Sequence, residues 1–107
     1  MSTALENLEK LVGTPRDGAL LRYSLGLENL KSGEPERAIE HLREAVARDP
    51  LYSAAWKALG KTLEQMDRRP DALAAYRQGI EAAKSKGDRQ AEKEMTVFAR
   101  RLEKPKS

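Results

Sequence analysis

The strongest constraint on this chain is its resemblance to itself. Displaced by 34 residues, the sequence brings Ala4, Ala38 and Ala72 into register, then Leu5, Ile39 and Leu73, and then Leu8, Leu42 and Tyr76. Leu11, Ala45 and Gly79 follow, and Val12, Val46 and Ile80. Upstream, Leu25-Gly26 falls on Leu59-Gly60. A fixed period of this length across three copies, without an insertion, is the signature of stacked structural repeats. Within a copy the apolar residues recur at i, i+4 and i+7. Ala38, Ile39, Leu42, Ala45 and Val46 make one stripe, with Glu40, Arg43 and Glu44 on the other side, so each copy is built from helices.

The breakers divide the repeats into six helices, expected at about 3–13, 17–32, 35–48, 52–67, 70–86 and 88–103. Ser32-Gly33-Glu34-Pro35 stops one helix and places proline in the first turn of the next. Pro50 forces Asp49 out of the helical region. Gly87-Asp88 reads as a C-terminal glycine followed by an N-cap. A continuous coiled coil is excluded, because prolines at 15, 35, 50 and 70 would break it.

Trp56-x-x-Leu59-Gly60-x-x-Leu63 followed by Ala72-x-x-x-Tyr76 resembles the tetratricopeptide repeat signature. The preceding copy matches it through Leu25-Gly26, Ala38, Leu42, Ala45 and Pro50, but carries Arg22 in place of the tryptophan. Substituting tryptophan for Arg22 is therefore expected to be tolerated. The first helix matches only the second half of a repeat. The resemblance implies an all-α array of antiparallel helix pairs in one domain. It divides the chain into a half repeat (1–16), two repeats (19–52 and 53–86) and a capping helix (88–103). Lys84 stands where the family has proline, so the fifth helix is expected to run on to Gly87. The last segment leaves the register, and its stripe of Ala91, Met95, Phe98, Ala99 and Leu102 suits a cap.

No catalytic constellation is visible, and an enzyme is not expected. Gly60-Lys61-Thr62 imitates the end of a phosphate-binding loop, but Ala55 stands where that loop needs glycine, and the segment is helical. His41 is the only histidine and cysteine is absent, so no metal site and no cofactor are expected. His41 is read as a solvent-face residue. The N-terminus lacks the unbroken apolar run of a secretory signal, and no segment suits a membrane span. A cytoplasmic setting is the expectation.

Charge is uneven: residues 1–50 hold seven Lys/Arg against nine Asp/Glu, and residues 51–107 hold thirteen against eight. The basic half raises an alternative, a nucleic-acid-associated accessory protein. Its Lys84, Lys86, Arg89, Lys93, Arg100, Arg101, Lys104 and Lys106 are, however, interleaved with Asp88, Glu92, Glu94 and Glu103. Trp56 with three tyrosines is too sparse for a base-stacking ladder.

In the family resembled, the first helix of each repeat lines a concave groove that receives a peptide or a partner helix. The function this implies is a protein-interaction adaptor. At 100° per residue, Tyr23, Leu27, Leu20 and Leu30 point away from the Leu25-Gly26 face. On helix 52–67 the same sector carries Lys57 and Lys61 with Ala54 and Ala58. These residues are the expected groove, and its ligand a protein segment with apolar anchors and acidic residues. Some relatives grip a terminal carboxylate with lysines and asparagines; Tyr23 and Leu27 stand here instead, so that clamp is not expected. The sequence is also compatible with self-association.

Overall fold

A computed structural model describes residues 3–105, and six helices account for most of them. They are α1 (Ala4–Glu9), α2 (Ala19–Lys31), α3 (Pro35–Arg48), α4 (Ser53–Gln65), α5 (Arg69–Lys86) and α6 (Arg89–Glu103). Lys106 lies outside the described residues. No strand occurs among them.

Helix pairing follows from where small residues sit. α2 packs on α3 and α4 on α5, while α3–α4 and α5–α6 contacts stack one pair on the next. A β-carbon on Gly26 would stand 2.7 Å from Leu42 Cγ, and one on Gly60 would stand 2.5 Å from Tyr76 Cε1. Only glycine lets the partner's large side chain sit against the backbone there. Leu25, Leu42, Leu59, Leu63 and Tyr76 fill the space around these contacts and are at most 1% exposed. The shortest principal extent, 18 Å, corresponds to two helix layers, since packed helices lie about 8–10 Å apart axis to axis.

Three turns close in the same way. The backbone N–H of Glu34 donates to Asn29 O at 2.8 Å, that of Arg68 to Leu63 O at 2.9 Å, and that of Asp88 to Ala83 O at 2.9 Å. This six-to-one bond satisfies a carbonyl that the ending helix leaves free. Each turn needs a left-handed residue, supplied by Gly33 (φ 72°), Asp67 (φ 59°) and Gly87 (φ 73°). Positions 33 and 67 are one repeat apart, so backbone geometry keeps the period even where glycine is not retained. As the lysine at 84 implies, α5 continues to Lys86 and ends on Gly87.

Three expectations are corrected. α1 ends at Glu9 rather than 13: Leu11 and Val12 lie in turns, Gly13 takes φ 81°, and Pro15 follows. Arg22 does not occupy a vacant tryptophan hole. Its Nε donates to Asp17 Oδ1 at 2.8 Å and its Nη2 to Asp17 Oδ2 at 2.9 Å, a bidentate pair. The Gly13 N–H donates to the same carboxylate at 2.8 Å, and Arg48 Nη1 donates to the Asp17 carbonyl at 2.7 Å. The loop between α1 and α2 is thus fastened to α2 and α3. Arg22, and then the Gly13 amide, hold the Asp17 carboxyl well below its ordinary range.

His41, finally, is half-buried rather than a free surface residue, and Arg22 Nη1 lies 3.3 Å from its Nδ1. Burial, and then the Arg22 charge, push the His41 imidazole below its ordinary value.

Candidate functional site

α2 presents Tyr23, Leu27 and Leu30 along one face, at the four- and seven-residue spacing that a helix keeps on one side. α4 opposes them with Ala54, Lys57, Ala58, Lys61, Thr62 and Gln65, and together they line a cleft of about 270 Å³. The floor is open because α4 offers alanines at 54 and 58, one turn apart, where larger side chains would fill the space. Tyr23 is held in place from the side: its ring packs on Tyr52 at 5.0 Å between centroids. Tyr23, Leu27, Leu30, Lys57 and Lys61, with Ala54 and Ala58, therefore lie in one cleft, seven of the eight residues expected there.

Leu20 does not join them. It is 69% exposed and lies on the side of α2 turned toward α1, beside Leu8, Leu11 and Leu21. A helical wheel fixes the sector of Leu20 but not the helix that lies across from it. α4 faces Tyr23, Leu27 and Leu30, whereas α1 faces Leu20.

The charges differ from the expected pair of free lysines. Lys57 Nζ lies 3.4 Å from Glu94 Oε1 on α6. Lys61 forms no ion pair among the described residues; its Nζ stands 5.7 Å from the centre of the Phe98 ring. Arg101 covers the same ring at 5.4 Å and pairs with Glu64 at 2.6 Å. The Tyr76 hydroxyl donates to Glu64 at 2.9 Å, and burial together with that carboxylate raises the phenol above its ordinary value. Lys61, Glu64, Gln65, Tyr76, Phe98 and Arg101 line a second cleft of about 290 Å³. Both clefts share Lys61 and Gln65, so they adjoin along α4.

Sequence reasoning missed the contribution of α6. Phe98, Glu94 and Arg101 complete this surface because α6 follows α5 in the stack as α4 follows α3. The helical stripe on α6 was visible, but its shifted register hid the equivalence.

Five of the thirteen basic residues of the C-terminal half form ion pairs among the described residues. Arg68 pairs with Glu36, Arg77 with Glu103 at 3.8 Å and Lys84 with Glu81 at 3.4 Å. Among the described residues no group of three or more histidine or carboxylate side chains is placed to hold a metal ion. No described helix is long and apolar enough to cross a membrane.

Stacked helix pairs presenting a shallow apolar cleft define a helical-repeat scaffold. A tetratricopeptide repeat model matches residues 29–91. A TPR repeat-containing protein of Pseudomonas aeruginosa is 47% identical over 103 residues, which cover 96% of this chain and 98% of that protein. Among solved structures, a protein of Bordetella parapertussis superimposes with a TM-score of 0.78 at 43% identity, covering 95% of this chain and 89% of that one. A tetratricopeptide repeat domain protein of Salinibacter ruber gives 0.76 at 34% identity, over 81% and 88% of the two chains. The chain belongs to the tetratricopeptide repeat family. Proteins of this family generally serve as scaffolds that bind other proteins.

Proposed function

We propose that this protein is an adaptor whose cleft between α2 and α4, continued by α6, receives a short amphipathic helix or an extended peptide. The observation that carries the reading is the cleft itself. Tyr23, Leu27, Leu30, Ala54 and Ala58 form an apolar floor, and Lys61, with no ion pair among the described residues, stands where the two clefts meet. Apolar side chains of the ligand seat on that floor, and an acidic residue reaches Lys61. Lys57 contributes less charge than its sequence position implies, because Glu94 already neutralises it. Binding of this kind requires no cofactor and no catalytic step.

Panning a random peptide library on the immobilised full chain tests this. The expected selection is peptides with apolar residues at helical spacing or alternating along a strand, accompanied by aspartate or glutamate. Leu27→Asp should abolish capture of those peptides. Selected peptides that bind Leu27→Asp and Lys61→Glu as well as the parent would contradict the reading.

A further inference from the structure

The three helices along the groove are matched position by position. Tyr23, Leu27 and Leu30 on α2 stand 34 residues before Lys57, Lys61 and Glu64 on α4. Glu94, Phe98 and Arg101 on α6 stand a further 37 residues on, and each meets its own α4 counterpart. Lys57 Nζ lies 3.4 Å from Glu94 Oε1, and Lys61 Nζ stands 5.7 Å from the centre of the Phe98 ring. Arg101 Nη2 donates to Glu64 Oε2 at 2.6 Å. The longer second step accompanies a longer connecting helix, since α5 has 18 residues where α3 has 14.

The groove is therefore apolar on its α2 wall and charged along α4, where the two outer positions are already matched by α6. Glu64 is engaged twice, by Arg101 and by the Tyr76 hydroxyl at 2.9 Å, so Arg101 has little charge left for a ligand. Lys57 and Glu94 neutralise one another, and their side chains remain 30% and 41% exposed. Of the three cations, Lys61 alone has no carboxylate partner among the described residues, and its amine stands over an aromatic ring. A ligand carboxylate arriving at Lys57 must displace Glu94 or stand beside it, where like charges repel. One arriving at Lys61 meets neither obstacle.

Building on the α2–α4 cleft as the binding surface, we propose that it selects a protein segment with a single acidic side chain among its apolar anchors. That side chain seats at Lys61, and Glu94 is the residue that rejects a second. Panning one random peptide library in parallel on the parent and on the Glu94→Gln full chain tests this. The parent should yield peptides with one aspartate or glutamate. Glu94→Gln should yield peptides with two, about four residues apart on a helix or two on a strand, because Lys57 and Lys61 are one helical turn apart. A synthetic two-acid peptide from the second pool should bind Glu94→Gln about 2- to 5-fold more tightly than the parent, the scale of an exposed ion pair. The gain should vanish when Lys57→Met is added. Glu92→Gln, which removes the same charge from another face of α6, should not reproduce it. Groove peptides, lost with Leu27→Asp, that carry equal numbers of acidic residues on both chains would overturn the proposal and leave the groove standing. A gain that survives Lys57→Met, or that Glu92→Gln matches, would do the same. Peptides indifferent to Leu27→Asp would overturn the groove reading as well.

Discussion

Gly60 and Tyr76 form the tightest pairing between the helices of one repeat: a β-carbon on Gly60 would stand 2.5 Å from Tyr76 Cε1 and 2.6 Å from Cδ1. The ring cannot retreat, because it is fully buried and its hydroxyl is bonded to Glu64. Alanine is a better helix former than glycine by about 1 kcal/mol, so Gly60→Ala sets that gain against overpacking, which typically costs about 1–3 kcal/mol. Overpacking should win, and Gly60→Leu should lose more. At Gly26 the obstacle is the Leu42 side chain, with its Cγ at 2.7 Å; it lacks such an anchor, so Gly26→Ala should lose less than Gly60→Ala. Thermal melts followed by circular dichroism rank the variants. Equal melting points for Gly60→Ala and the parent would contradict this packing.

α6 belongs to the fold. A β-carbon on Gly79 would meet Trp56 Cβ at 2.8 Å, and Met95, fully buried, lies against the same glycine. Met95→Ala should cost about 2–5 kcal/mol, the range for emptying a buried site. Deleting residues 88–107 should expose the flank of α5 and cause aggregation. Size-exclusion chromatography of the truncated chain checks this; a truncated monomer as stable as the parent would show that α6 is dispensable.

Much of this architecture was legible because it depends on local rules. The spacing of Ala38, Leu42 and Val46, the glycines at 26 and 60, and the stops at Gly33 and Gly87 each report on one helix or one turn. What was not legible depends on side chains that meet outside the repeat pattern. Glu94 neutralises Lys57 across 37 residues, and Arg22 binds Asp17 in a loop with no repeat pattern. Seven residues lining the α2–α4 cleft could be placed from helical geometry alone. Leu20 could not, since its surroundings depend on which helix lies beside α2.

The network around Asp17 predicts that Arg22→Trp lowers the melting point, although tryptophan occupies the aligned position 56. The indole cannot replace the bidentate bond to Asp17, and it leaves Arg48, 3.5 Å away, as the remaining cation beside that carboxylate. Arg22→Lys should retain part of the loss, since it keeps the charge but not the paired geometry. An Arg22→Trp variant that melts with the parent would mean that the loop holds without this ion pair.

His41 makes stability pH-dependent in a defined direction. Its folded-state pKa lies below the ordinary 6.5, so the unfolded chain takes up its proton first as pH falls. The contribution is complete above about pH 6.5 and is lost as pH falls through the lower folded-state value. Protonation would also set a positive imidazolium against Arg22. Melting points should therefore decline from about pH 7.5 towards about 5, the range in which an imidazole titrates, and His41→Gln should flatten that decline. An unchanged slope in His41→Gln would assign it to other groups.

Amide chemical-shift mapping tests most directly whether the α2–α4 cleft receives a protein segment. The isotopically labelled full chain is titrated with a peptide selected from the random library. Perturbations are expected to concentrate at Tyr23, Leu27, Leu30, Ala54, Ala58 and Lys61. Tyr23→Ala should weaken that peptide about 10-fold or more, mainly through faster dissociation, as for an aromatic anchor. Lys61→Glu should act mainly through slower association that depends on salt. Perturbations confined to α1 and Leu20, or to the outer surfaces of α3 and α5, with both variants binding as the parent does, would show that the cleft is not the binding surface.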